Sequence, residues 1–212
     1  MNYDVSKIVA YYEAVVYINY SISPEDMDKI IRIAYFSETD DYIKDALYSQ
    51  KEKLTLNVTN STYTEDQVVS HIKSIVSENP LLCIFEPDVK VNLYSGSALQ
   101  KLYEINLKYQ KNPEITQQYR EEIESLDLPN VLKIKDEDEA RDVLEKALKF
   151  LRTGAAVSED MDKNSIYSAI IGKKANSEGY AVAYKYLCSL LDLECYIVHG
   201  QKGRDDYCWN IV

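Results

Sequence analysis

Residues 166–212 read IYSAIIGKKANSEGYAVAYKYLCSLLDLECYIVHGQKGRDDYCWNIV, and this stretch decides the fold. From Ser177 onward Ala181, Tyr184, Leu187, Leu190 and Leu191 recur at helical spacing and predict a helix with one buried face. Residues 195–198 predict a strand, 200–206 a turn rich in glycine and charge, and 208–212 the start of a second strand. Serine is a preferred N-cap, so Ser177 is expected to cap the helix. Glu178 in the first turn favours the helix dipole, and Gly179 allows close packing of helix against sheet. Tyr180 and Trp209 are expected as core aromatics.

Working outward, Ile166, Ala169 and Ile170 predict a short helix before Gly172, preceded by a polar loop over 158–164. Asp136 and Glu139 read as a capping pair for a helix carrying Val143, Leu144, Ala147, Leu148 and Leu151, ended by Gly154. Residues 112–130 are polar and charged, with Pro113 and Pro129, and the domain boundary is placed there. The expected division is an N-terminal α+β module, 1–125, and a second domain, 126–212.

Within the first part, Leu54, Leu56 and Val58 alternate with polar residues as a strand, and residues 64–67 read as a capping box for a helix with Val68, Val69, Ile72 and Ile75. Residues 82–85 and 89–94 predict two more strands. Residues 102–109 are a further strand or continue a short helix. Ser23 and Pro24 open a helix carrying Met27, Ile30, Ile31 and Ile33, and residues 14–18 are a strand or the end of a first helix.

Composition narrows the function classes. The 212 residues carry 35 acidic against 24 basic side chains, a net charge of −11. Such a chain repels phosphate backbones and anionic lipid, so no nucleic-acid partner is expected. Apolar runs break well short of about 18 residues, so no membrane span is expected. Residues 1–20 lack a basic start and Glu13 interrupts their apolar part, unlike a signal peptide; the compartment stays open. The four cysteines form no C-x-x-C pair and only two histidines are present. No metal site and no cofactor are therefore expected, and the thiols read as free and buried. Tyrosine outnumbers phenylalanine 19 to 3, which suits both a hydrogen-bonded core and a binding surface.

The C-terminal stretch resembles the transglutaminase-like superfamily. Glu178, Gly179, Tyr180 and Ala181 match the Cys-x-Gly-Tyr-Ala motif that opens that family's central helix. Trp209, Asn210, Ile211 and Val212 match its His-Ala-Trp-Asn hairpin, at the right spacing. The resemblance runs from about Asp136 onward. It implies an α+β, papain-like helix-plus-antiparallel-sheet core, short at its C-terminal side and preceded by a small α+β module. In that family a cysteine thiolate is stabilised at the helix N-terminus, a histidine on the hairpin takes the thiol proton, and an aspartate on the next strand orients the histidine.

This sequence departs at each place. The nucleophile position holds Ser177, the histidine position Tyr207, and no strand follows to supply the aspartate. A helix dipole contributes only about 0.3–2 kcal/mol, too little to ionise an alcohol. A phenol with a pKa near 10 is a poor base at neutral pH. Three readings of Ser177 stay open: a helix cap, a Cys→Ser replacement (which leaves Tyr207 unexplained), and a working nucleophile with His199 as relocated base, roughly across the hairpin from Tyr207. Cys208 could supply the thiol of an altered site, but a buried strand cysteine is the plainer reading.

The resemblance thus implies a non-catalytic module that binds peptide, protein or glycan in the old cleft, lined by Tyr167, Glu178, Tyr180 and Trp209. The alternative is a transglutaminase-like cysteine peptidase or acyltransferase in mutated or truncated form. A last strand without a neighbour is prone to pairing, so a homodimer, or cover from the N-terminal module, is expected at that edge.

Overall fold

The computed structural model describes residues 24–135, 138–158 and 165–212. The expected caps at Ser23 and Asp136, the reading of 14–18 and most of the loop 158–164 lie outside the described residues. The chain divides into two compact units, Met1–Ile30 and Ile31–Val212.

In the first unit the described element is α1 (Pro24–Asp28), with Pro24 at its start and Glu25 and Asp26 in its first turn. The helix stops well before Ile33. Ile31 and Ile33 belong instead to β1 (Ile31–Tyr35), where alternation buries Ile33. Two apolar residues two apart fit a strand as well as a helix, and strand pairing decides between them.

The second unit begins with β1, followed by α2 (Asp40–Tyr48), β2 (Lys53–Asn60), α3 (Glu65–Glu78), β3 (Asp88–Ser95) and β4 (Lys101–Lys108). The four strands form one sheet in the order β1-β2-β4-β3. β1 runs parallel to β2, and the other pairs are antiparallel. Leu54, Leu56 and Val58 alternate inward on β2, with Leu56 opposite Tyr103 and Leu54 opposite Ile105 on β4. Ile43 and Leu47 of α2 and Val68, Ile72 and Ile75 of α3 cover that face as one apolar cluster. The capping box of α3 is present: Thr64 Oγ1 accepts from the Gln67 N–H, and Gln67 Oε1 accepts from the Thr64 N–H.

Residues 82–85 are not a strand. They turn, because the Leu81 and Leu82 carbonyls face the buried guanidinium of Arg120 at 2.9 and 3.1 Å rather than a neighbouring strand.

The polar stretch 112–130 is mostly helical. It forms α4 (Pro113–Glu124) and α5 (Leu128–Val131), and Asn112 caps α4 by accepting the Ile115 N–H at 2.9 Å. Then come α6 (Ala140–Arg152), β5 (Ala156–Val157), α7 (Ile166–Ile170), β6 (Lys174–Ala175), α8 (Ser177–Ser189), β7 (Tyr196–Lys202) and β8 (Asp205–Ile211). A second apolar cluster gathers around α8, in which Leu187 and Cys188 join Ile123 of α4, Ala147 and Leu151 of α6, and Ile166 and Ile170 of α7. Gly154 ends the α6 region at φ +74°, a left-handed conformation that glycine adopts freely. The chain is α+β. Among the described residues no helix is long and apolar enough to cross a membrane.

Candidate functional site

α8 feeds into the β7–β8 ribbon, which packs back on it. The turn between the strands takes two residues, with Gly203 at φ +73° and Lys202 opposite Asp205. From there the register places Gly200 opposite Tyr207 and His199 opposite Cys208. Cys208 and Asn210 are half-buried toward the helix, while Tyr207 and Trp209 sit on the exposed face. Asn210 Nδ2 donates to the Ala181 carbonyl at 2.9 Å and to Cys195 Sγ at 3.3 Å, locking ribbon to helix.

Ser177 is not the cap. Asn176 holds that position, its side-chain oxygen accepting the Gly179 N–H at 2.9 Å, so Ser177 is the first helical residue. The Ser177 hydroxyl turns to the ribbon and accepts the Cys208 N–H at 3.2 Å. Among the described residues no histidine nitrogen hydrogen-bonds to it. The His199 ring meets Cys208 instead, with Nδ1 3.2 Å from Sγ. That thiol is pushed up to about 11 by burial and by the carboxylates of Glu178 and Asp206. It stays protonated at neutral pH. Cys208 is half-buried, whereas the other three thiols are buried, and all four are free.

Two cavities of about 570 Å³ each flank this group. The first lies between α6, α8 and β8 and is lined by Leu148, Arg152, Ser177, Tyr180, Tyr207 and Trp209 among others. The second lies between α3, α7, α8 and β7, with Lys73, Glu86, Ser165, Glu178 and His199 on its walls. Ser177, Tyr207, Tyr180 and Trp209 therefore share one cleft, while Glu178 and His199 face the other.

Tyr167 lines neither cavity. Its ring stacks on Tyr119 of α4 with centroids 3.7 Å apart, and its hydroxyl donates to Glu122 at 2.7 Å, so it joins α7 to α4. Tyr180 is fixed by donating to the Ala156 and Lys173 carbonyls at 3.0 and 3.3 Å. Trp209 is not a core residue: it is 42% exposed and lies over Gly200, where an added Cβ would come within 2.7 Å of the indole.

Residues missed at the level of sequence are Asn176 and Arg152. Asn176 could have been found as an Asx cap three residues before Gly179. Arg152 shares its helix face with Leu148, one turn earlier on α6. Asn210 belongs to the hairpin motif read from the sequence, but its bonds to the Ala181 carbonyl and Cys195 Sγ are tertiary contacts that the motif alone does not state. Among the described residues no group of three His, Cys, Asp or Glu side chains is placed to hold a metal ion.

No family model matches the chain, and no curated protein matches it. Among solved structures the chain is similar to one described as "Crystal structure of a TGase", with a TM-score of 0.35 and 10% sequence identity. The match covers 85% of this chain and 55% of that one. The chain thus spans a little over half the length of that structure.

Proposed function

We propose that the chain is a non-catalytic, transglutaminase-like binding module. Its second domain, residues 126–212, presents the cleft between α6, α8 and β8 to a peptide or glycan segment of a partner. The observation that carries this reading is the use of Ser177: its hydroxyl oxygen accepts a main-chain N–H from β8, and the cleft it lines holds the phenol Tyr207 and no imidazole among its described residues. A nucleophile needs its base within hydrogen-bond reach, and the imidazole of His199 is engaged with Cys208. What remains is a concave site walled by Tyr180, Tyr207 and Trp209, with apolar side chains from α6. Concave, largely apolar sites with a few fixed polar groups are the usual form of a ligand pocket.

One observation favours the acyltransferase alternative, the 3.2 Å contact between His199 and Cys208. A thiol held well above neutrality by burial and two carboxylates is a slow nucleophile, so the binding reading is preferred.

Trp209 is the one tryptophan of the chain, and it lies in the cleft. Its fluorescence is therefore a direct reporter. Titration with peptides and oligosaccharides is expected to shift its emission, while a labelled glutaminyl substrate is returned unchanged. Turnover of that substrate, abolished in Cys208→Ala, would establish the acyltransferase instead.

A further inference from the structure

Two of the four free thiols sit together. Cys188 is the penultimate residue of α8, and Cys195 immediately precedes β7. The chain doubles back between them. Leu191 and Leu193 both donate their N–H to the Cys188 carbonyl at 3.0 Å, and Asp192 takes φ +52°. Positive φ is uncommon outside glycine, and here it tightens the reversal. Both side chains lie in the apolar cluster around α8, at 0% and 7% exposure. Their thiols hydrogen-bond to each other. The other two cysteines are placed elsewhere: Cys83 belongs to the first cluster and faces the Leu47 carbonyl, and Cys208 meets His199.

The pair lies within a chain of polar groups. The Tyr184 hydroxyl bonds to Cys188, Cys188 bonds to Cys195, and Asn210 Nδ2 donates to Cys195 Sγ at 3.3 Å. The bond from Cys188 holds Cys195 below the usual thiol range against the effect of burial, helped by Asn210 and the charge of Lys185. Cys188 is raised, first by that same bond and then by burial. The donors thus converge on the Cys195 sulfur, which is the nucleophile of the two, while Cys188 keeps its proton. A thiolate beside a second thiol is the arrangement in which a sulfenic acid is captured as a disulfide. Burial keeps out bulky reagents, but hydrogen peroxide is little larger than water, and Cys195 retains a trace of exposure.

We propose that Cys188 and Cys195 are a peroxide-sensitive pair that closes to a disulfide and weakens the Asn210 lock between α8 and the β7–β8 ribbon. The Cys195 thiolate attacks one peroxide oxygen. The O–O bond breaks, a sulfenic acid forms on Cys195, and the departing hydroxide takes up the proton that the thiol had released. The Cys188 sulfur then attacks the Cys195 sulfur. The S–O bond breaks, and the second hydroxide leaves with the Cys188 proton. Two thiols are oxidised to one disulfide, and the peroxide is reduced to two waters. The Cys195 sulfur then carries no charge, so Asn210 keeps the Ala181 carbonyl as its strong partner. Trp209 is the next residue along β8, so the change reaches the cleft wall.

The test is a peptide map. Trypsin cuts after Lys185 and Lys202, which puts both cysteines in the peptide 186–202 and leaves Cys83 and Cys208 in others. The folded chain is treated with hydrogen peroxide, then unfolded, alkylated and digested. Peptide 186–202 is expected without alkylation and lighter by the hydrogens of both thiols, and dithiothreitol before alkylation is expected to restore both sites. Trp209 emission is expected to shift in step with the cross-link and to return on reduction. Cys188→Ser is expected to stop at a Cys195 sulfenic acid, trapped by dimedone, whereas Cys195→Ser leaves Cys188 reduced. Should either variant misfold by circular dichroism, the map of the parent chain still decides. Recovery of peptide 186–202 alkylated at both cysteines after peroxide, or a cross-link to Cys83 or Cys208, would overturn the pair. A complete cross-link with unchanged Trp209 emission would overturn its effect on the ribbon.

Discussion

The Ser177 hydroxyl and the Cys208 main-chain N–H meet at 3.2 Å, joining the first residue of the central helix to the returning strand. One lone pair of the first helical residue's oxygen thus serves the scaffold. Ser177→Ala leaves a half-buried N–H without its partner and is expected to cost about 1 kcal/mol, read from the urea midpoint. Ser177→Cys is expected to produce a thiol without transamidation activity, because the His199 imidazole is engaged with Cys208 rather than with position 177.

Cys208 gives a chemical handle on the same junction. Burial and the charges of Glu178 and Asp206 favour the neutral thiol. Alkylation by iodoacetamide is expected to be slower at pH 7.5 than for a free cysteine and to climb steeply toward pH 11. Glu178→Gln removes one of the opposing charges and is expected to speed alkylation at pH 8–9. Mass mapping is expected to find Cys83, Cys188 and Cys195 unmodified until the chain unfolds, since all three are buried.

Arg120 is buried at 3% exposure, yet each of its three guanidinium nitrogens has a hydrogen-bond partner. Nε and Nη2 donate to the Leu81 and Leu82 carbonyls, Nη1 donates to Gln117 at 2.6 Å, and the guanidinium lies 4.0 Å from the centre of the Tyr48 ring. One side chain thus ties α4 to the α3–β3 connection and to α2. Arg120→Met keeps the volume and loses the donors, at an expected cost of about 2–3 kcal/mol, measured by chemical denaturation. Arg120→Lys is expected to recover only part of it.

Alkaline pH is expected to unfold the chain before a simple tyrosine-rich protein would yield. Tyr184 is raised from 10.0 to about 12 by burial, Tyr167 to about 12 first by its bond to Glu122, and Cys83 from 9.0 to about 12 by burial. In each case the fold favours the neutral form. Their contribution is complete below about pH 9 and is lost as the pH rises through the folded values near 12. Thermal melts from pH 8 to 12 are expected to show a steady fall in Tm beginning near pH 9.

The legible parts of this fold are those where local pattern and tertiary role agree. The α8 periodicity, the Gly203 turn and the Thr64 capping box each state their structure in a few residues. β1 was hidden because Ile31 and Ile33 continue an apparent helical stripe, and only pairing with β2 makes them a strand. α4 was hidden because few of its residues are apolar; its buried anchor is a charged Arg120. Within the site, a one-residue difference in ribbon register mattered most. It sets His199 against Cys208 rather than Tyr207, turning a relocated base into the partner of a different thiol. The family-like position of Tyr167 points to the cleft, but stacking on Tyr119 from a helix far away in sequence claims it.

The indole of Trp209 rests where Gly200 has no side chain, and even a single methyl there would come within 2.7 Å of the ring. The mouth of the cleft is therefore gauged from the neighbouring strand. Graded replacement at position 200, alanine and then serine, works like the thumbscrew of a caliper, shifting one jaw of the opening while every group that grips a guest keeps its identity.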